Sequence, residues 1–144
     1  MDDASKQRAV AALNRIMELE LAGVVQYTHY ALMVVGYGRI PIVAWLNDNA
    51  DESLQHARKA GELVTLLGGQ PSLQVGALLQ QARSDVGDIL RHSLEHEQAA
   101  LAVYYELLDI ARGQSVLLED YARTMIGIEE LHADAVAKML RRPD

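Results

Sequence analysis

The stretch LEDYARTMIGIEELHADAVAKML, residues 118–140, carries the pattern that decides the fold. Its apolar residues recur every three to four positions, as on the buried face of an amphipathic helix. The same stripe contains Glu129 and His132, two polar residues on an otherwise apolar face. An i, i+3 spacing lets a carboxylate and an imidazole on one helix point at the same ion. This stretch therefore predicts a buried helix that carries part of a site.

The remainder of the chain has a helical composition as well. The 144 residues are 50% hydrophobic, with only 3 Pro and no Phe, and Ala and Leu dominate. Ala and Leu are strong helix formers, whereas strands favour aromatic and β-branched side chains. The composition predicts an all-α protein.

Periodicity and helix-ending residues divide the chain into four predicted helices, over about 5–35, 41–67, 84–112 and 115–142. The first and third connections are short, so each joins two antiparallel helices into a hairpin. The connection over about 68–83 is long enough, at roughly 50 Å when extended, to run the length of the bundle. We therefore expect a single domain over 1–144, a four-helix bundle with one long crossover.

Charged residues interrupt the apolar stripes of the other three helices. Glu20 follows Ile16 and precedes Val24 on the first helix, and His56 precedes Ala60 on the second. On the third helix, periodicity chooses between two nearby carboxylates. Glu97 aligns with the apolar stripe, while Glu95 falls on a polar face. The sequence therefore predicts that Glu97 is the inward carboxylate.

An internal repeat relates the two hairpins. Tyr27 follows Glu20 by seven positions, and Tyr104 follows Glu97 by seven. Each hairpin contributes a Glu from its first helix and a His from its second. An ionised carboxylate in a dry core requires a positive partner, and no Lys or Arg lies on these stripes at the level of the carboxylates. The pattern predicts a two-metal site at mid-bundle.

Several pieces of the sequence, taken together, resemble the bacterioferritin branch of the ferritin-like superfamily, from Leu13 to about Leu140. The matching pieces are Glu20-Leu21 with Gln26-Tyr27, His56-Ala57, Pro71-Ser72-Leu73-Gln74, Leu90-Arg91 with Glu97, and Glu129-Glu130 with His132. The resemblance implies a ferritin-like four-helix bundle that holds two iron ions per chain and oxidises Fe(II) with oxygen or peroxide. Manganese or zinc are the expected substitutes for iron.

The resemblance also implies a role for each candidate residue. Tyr27 is expected beside the centre as a hydrogen-bonding or redox-active group. The implied metal ligands are terminal carboxylates, terminal imidazoles and one bridging carboxylate: Glu20 and Glu97, His56 and His132, and Glu129, respectively.

The sequence departs from the family pattern at three points. Ser53 occupies the position of a second bridging carboxylate, for which Glu52 could compensate if a π-bulge turned it inward. Leu54 occupies the position of the haem-binding Met, so no haem is expected there. The chain stops at Asp144 without the short fifth helix of the family. Because of that departure, the sequence does not decide whether the chain forms a 24-subunit shell. A homodimer through the first two helices, or a higher homo-oligomer, is expected.

Composition excludes several other classes of function. The chain has no Cys, which excludes thiolate metal sites, disulfides and cysteine catalysis. Its net charge of −7 argues against nucleic-acid binding. No apolar run is long enough to cross a membrane, and the acidic N-terminus does not have the pattern of a signal peptide. A cytoplasmic protein is expected.

Two rival functions remain open at this stage. One is a different di-iron enzyme on the same scaffold, such as a rubrerythrin-like peroxidase or another di-iron oxidase. The other is a non-catalytic metal-binding module or partner subunit, whose site has decayed at Ser53.

Overall fold

The computed structural model describes residues 1–78 and 84–143, and in these ranges it contains helices and no strand. The helices are α1, Asp3–Met33; α2, Arg39–Leu66; α3, Val86–Ala111; and α4, Val116–Leu140. The predicted all-α four-helix fold is confirmed. Residues 79–83 of the predicted crossover lie outside the described residues. Within the described ranges, no helix is long and apolar enough to span a membrane.

Side-chain caps set the start of three helices. The Asp2 carboxylate accepts the Ser5 N–H at 2.8 Å, which moves the start of α1 two residues ahead of the predicted one. Asp85 and Ser115 cap α3 and α4 in the same way. Helix α2 begins after Gly38 without a side-chain cap, and Pro41 lies in its first turn, where a missing N–H costs little.

The end of α2 needs a glycine. Gly68 has φ +81°, a left-handed conformation that L side chains rarely adopt. Its N–H donates to the Thr65 carbonyl at 3.0 Å, and the Gly69 N–H donates to the Val64 carbonyl at 2.9 Å. This pair of bonds is a Schellman motif, which ends the helix and directs the chain into the crossover.

The crossover runs along α1. The Asn14 side chain donates to the Gln70 carbonyl at 3.1 Å and accepts the Ser72 N–H at 2.9 Å. One helical turn further on, the Glu18 carbonyl accepts the Gly76 N–H at 2.9 Å. Helix α1 also packs against both α2 and α3, and α3 packs against α4. Helix α1 therefore packs against helices of both hairpins.

The buried apolar residues form two clusters. One includes Leu13 and Ile16 of α1 with Leu107 and Leu118, and the other includes Ala31 of α1 with Leu46 and Ile89. Glu20 of α1 lies between Ile16 and Ala31 in the chain, so the two clusters are separated at its level. The level of Glu20 forms a polar layer between the two apolar clusters, and the sequence predicts the site in this layer.

Candidate metal centre

Three carboxylates are buried in the polar layer, one each from α1, α3 and α4. Glu20 is 4% exposed, Glu97 is 5% exposed and Glu129 is 2% exposed. Glu95 is exposed, so the choice that periodicity made between the two α3 carboxylates is confirmed. Burying three carboxylates together is costly unless positive charge lies among them.

Two histidines complete the cluster. Nδ1 of His56 lies 3.5 Å from Oε2 of Glu20 and 3.4 Å from Oε1 of Glu129. Nδ1 of His132 lies 3.5 Å from Oε1 of Glu97. The structure thus brings together all five residues that the sequence analysis placed at mid-bundle.

These residues form two groups, each able to offer three ligand atoms to one ion. The first group is Glu20, His56 and Glu129, and the second is Glu97, Glu129 and His132. Within each group the ligand atoms lie within 4.8 Å of one another. Glu129 belongs to both groups, which is the arrangement expected of a carboxylate between two ions.

The cluster has unused ligand atoms. Oε2 of Glu129 and Nε2 of His132 are buried, and neither has a hydrogen-bond partner among the described residues. A buried polar atom without a partner costs about 1–3 kcal/mol. Carboxylate oxygens and imidazole nitrogens are also the donors that iron and manganese accept. The residues present therefore fit a pair of divalent ions.

Two tyrosines donate hydrogen bonds to the cluster. The Tyr27 hydroxyl donates to Oε1 of Glu97, and the Tyr104 hydroxyl donates to Oε1 of Glu20 at 3.1 Å. Burial, together with the carboxylate that each faces, raises the pKa of both hydroxyls well above the usual value. Both tyrosines are therefore neutral donors at physiological pH. The internal repeat singled out Tyr104, but its contact with Glu20 appears only in the fold.

The electrostatics show how the cluster is balanced without a metal. Burial alone would lower the pKa of His56, but hydrogen bonds to Glu129 and Glu20 raise it to about 10. The pKa of Glu129 is also raised, and in this case burial is the main cause. Burial acts in the same direction on Glu97, but His132, Glu129 and Tyr27 outweigh it and lower that pKa. The protonated His56 thus supplies positive charge beside the buried carboxylates when no metal is bound.

Glu52 lies on the outer side of His56. Its Oε1 is 3.5 Å from Nε2 of His56, the nitrogen opposite the one that faces Glu20 and Glu129. Its side chain is about half exposed, and α2 is α-helical throughout, without a π-bulge. Glu52 therefore lies outside both ligand groups and beside the ring of His56. Sequence reasoning missed this placement, although an i, i+4 spacing on a helix allows it.

Trp45 was also missed by sequence reasoning. Its ring meets the ring of His132 edge to face, with centroids 5.8 Å apart. The two residues come from α2 and α4, so only the packing of the helices brings them together. No spacing in the sequence relates them.

Comparison with known proteins places the fold. The ferritin-like domain family matches residues 10–144, so this chain belongs to that family. One similar solved structure is a ferritin-like di-iron-carboxylate protein from Bacillus anthracis, at 21% identity, with a TM-score of 0.90, covering 98% of this chain and 100% of that one. Another is Rhodobacter capsulatus bacterioferritin, described with a metal-free dinuclear site and haem iron. It has 21% identity and a TM-score of 0.85, over 97% of this chain and 86% of that one. No curated protein matches the sequence.

Proposed function

We propose that this chain is a bacterioferritin-like ferroxidase that binds two Fe(II) ions and oxidises them with oxygen or peroxide, in iron detoxification and storage. The observation that carries the proposal is the pair of three-residue groups that share Glu129. The fold of a di-iron-carboxylate protein and of a bacterioferritin, over almost the whole chain, supports it.

Each residue of the cluster has a part in this proposal. Glu20 and His56 hold one ferrous ion, Glu97 and His132 hold the other, and Glu129 lies between them. The bound Fe(II) supplies the electrons and leaves as the ferric product. Tyr27 and Tyr104 fix the orientation of Glu97 and Glu20 through their hydrogen bonds. Glu52 fixes the ring of His56 from its outer side, as carboxylates commonly do for metal-binding histidines.

Protons move when the metal enters. His56 must lose a proton before its Nδ1 can bind an ion, and Glu129 must be ionised. The metal thus replaces protons that stabilise the empty cluster. Tyr27 and Tyr104 keep theirs, because their pKa values lie well above the usual value.

The proposal extends to the whole molecule. We propose one domain over 1–144, without haem because Leu54 offers no ligand, in the reducing cytoplasm where Fe(II) is supplied. Homodimers or larger homo-oligomers would use the outer face of α1 and α2. Exposed apolar side chains on these helices support this, among them Val25, Leu32 and Ile40.

Anaerobic loading with Fe(II) tests the proposal. We expect two irons per chain after removal of the excess, and ferric absorption when oxygen or peroxide is added. The variant E129Q should bind almost none, since Glu129 serves both groups. Its control, E130Q, changes an exposed neighbour on the same helix and should behave as the unmodified protein.

Other results would overturn the proposal in distinguishable ways. One iron per chain with slow oxidation would mean that the chain has a single-ion site and not a di-iron centre. Iron binding without oxidation, or no iron binding at all, would favour the function of a non-catalytic partner subunit. Sustained peroxide consumption driven by an external reductant, without net ferric product, would favour a peroxidase.

A further inference from the structure

Two histidines outside the ligand set of the centre stand one helical turn apart on α3. His92, Glu95 and His96 form the pattern H-x-x-E-H, with the two imidazoles at i and i+4. Residues four apart lie on the same face of a helix, with about 5–6 Å between their Cβ atoms. Two imidazoles at this spacing can bind one ion, as they do on the helices of zinc enzymes. Both histidines are half-buried, and Glu95 is exposed.

All three side chains line one cleft between α1 and α3. The cleft has a volume of about 230 Å³, and Leu19 and Gln26 contribute to its wall on α1. A water molecule occupies roughly 30 Å³ in the liquid, so the cleft has room for an ion and several waters. No Lys or Arg is among the described residues that line it. The cleft therefore accepts a cation without repulsion from its own walls.

Tyr30 orients the ring of His92. The Tyr30 hydroxyl lies 3.3 Å from Nδ1 of His92, and the two rings meet edge to face with centroids 6.4 Å apart. Tyr30 is 1% exposed, so its hydroxyl is held in the core. A partner at one ring nitrogen fixes the tautomer of a histidine and leaves its other nitrogen for a metal. For His92 that other nitrogen is Nε2.

His96 is held against α1 as well. Its ring meets the ring of Tyr27 edge to face, with centroids 6.3 Å apart. Its Nε2 packs closely against Gly23, because a Cβ built on that residue would lie only 3.0 Å away. Nδ1 is therefore the nitrogen of His96 that remains for an ion in the cleft.

The cleft residues are less tightly assembled than the centre. They are not among the groups of described residues whose ligand atoms all lie within 4.8 Å of one another. An ion in the cleft must draw the exposed carboxylate of Glu95 towards the two rings. This site should therefore bind an ion more weakly than the buried centre binds its own.

We propose that His92 and His96, together with Glu95, bind a divalent ion from the end of the first transition series, Cu(II) before Zn(II). Imidazole nitrogens suit both ions, and the affinity of a given ligand set rises from Fe(II) through Co(II) to Cu(II). Two imidazoles and one exposed carboxylate therefore hold Cu(II) where they hold Fe(II) and Co(II) poorly. The site is separate from the centre and does not depend on the proposed ferroxidase function.

Paired metal titrations test this separation. Cu(II) and Co(II) are each equilibrated with the full chain by dialysis, and the bound ions are counted. We expect H92Q to bind one Cu(II) fewer than the unmodified protein and to keep its full complement of Co(II). E129Q should lose Co(II) and retain the Cu(II) that depends on His92. The control H29Q alters an exposed histidine of α1 and should change neither count.

A double substitution shows whether the two histidines hold the same ion. H92Q, H96Q and the chain with both changes should each lose one Cu(II), and the double variant should lose no more than either single one. The difference between the electron paramagnetic resonance spectra of the unmodified and H92Q proteins should show coupling to two nitrogens. Y30F should weaken this Cu(II) about tenfold, because the ring of His92 loses its partner.

The possible failures are distinguishable. Full retention of Cu(II) in H92Q overturns the cleft site, whatever happens at the centre. Loss of two Cu(II) ions in the double variant would mean that each histidine binds an ion alone, and it overturns the shared site. Equal losses of Cu(II) and Co(II) in H92Q overturn the separation of the cleft from the centre. An unmodified chain that binds Cu(II) through His92 but no Fe(II) or Co(II) overturns the ferroxidase proposal and supports the cleft site.

Discussion

Tyr27 of α1 donates its hydroxyl hydrogen to Glu97 of α3, a residue of the other hairpin. The reciprocal bond joins Tyr104 of α3 to Glu20 of α1. Each tyrosine therefore follows one glutamate by seven positions and binds the other one. The two buried bonds tie the hairpins together at the level of the cluster, so the carboxylates are held in place by the protein itself.

Removal of either hydroxyl should destabilise the metal-free protein. We expect Y27F and Y104F each to lower the free energy of unfolding by about 1–3 kcal/mol, because a buried carboxylate loses its donor. Denaturant unfolding measures this change. The control is Y105F, which removes an exposed hydroxyl bonded to Glu130, and its effect should be much smaller. Equal effects at positions 27 and 105 would contradict the role of the buried bonds.

The sharing of Glu129 predicts unequal metal losses. E129Q should bind close to no divalent metal, whereas E20Q and E97Q should each retain about one ion, because each alters a single group. Amide oxygens are neutral and weaker ligands than carboxylates, and the substitution keeps the shape. Equilibrium dialysis with Co(II) measures the stoichiometry. An E129Q protein that keeps one tightly bound ion would show that Glu129 serves only one group.

The stability of the metal-free protein should fall as the pH rises from about 6.5 to 10. The pKa of His56 is raised to about 10 in the folded protein, and that of Glu129 is raised as well. The folded state therefore binds more protons than the unfolded state in this range, and stability declines with pH. One such group contributes a slope of at most about 1.4 kcal/mol per pH unit. In thermal unfolding across this range, the stability of H56Q should fall less steeply with pH than that of the unmodified protein.

Metal binding should show the opposite dependence on pH. Because His56 must lose its proton to bind an ion, affinity for Co(II) should increase over the same range until precipitation of hydroxide intervenes. Proton release on loading can be followed with an indicator dye in weak buffer. Loading without proton release would contradict the protonated state of His56 in the empty cluster.

The main features of the fold could be predicted because they depend on local patterns. Apolar spacing places Glu97 inward and Glu95 outward, and the burial of each agrees. The predicted positions of the helix ends were less accurate, since helix ends depend on capping residues. The Asp2 carboxylate accepts the Ser5 N–H, so α1 starts two residues earlier than expected.

The candidate site was predictable only in part, for a physical reason. Helical spacing decides which face a residue occupies, but it says little about contacts between residues on different helices. The bond from Tyr104 to Glu20 and the ring contact of Trp45 with His132 both join different helices. Glu52 differs, because its place beside His56 follows from the i, i+4 rule.

Trp45 should report on metal at His132. It is the only tryptophan of the chain, and its ring touches that of His132. We expect its fluorescence to fall when Co(II) is loaded, because paramagnetic ions quench nearby excited states, and to fall much less with Zn(II). H132Q should remove most of the Co(II) effect, while E130Q should retain it. Quenching that is unchanged in H132Q would place the ion away from the second group.

Restoring a carboxylate at position 53 should strengthen the binding of metal. The internal repeat pairs Ser53 with Glu129, so a Glu at position 53 would complete the repeat with a further carboxylate. We expect S53E to bind the second Co(II) at least about tenfold more tightly, an effect of about 1.4 kcal/mol. The same charge should destabilise the metal-free protein by about 1–3 kcal/mol, because position 53 is buried and burial disfavours an ionised carboxylate.

S53Q separates charge from size in this experiment. Its amide fills the same space without the charge, so S53Q should not tighten the second ion. Isothermal titration with Co(II) and denaturant unfolding of the metal-free proteins give the two quantities for both variants. Because S53E should stabilise the loaded protein and destabilise the empty one, its two effects have opposite signs. Equal metal affinities in S53E and S53Q would show that position 53 does not face the ions.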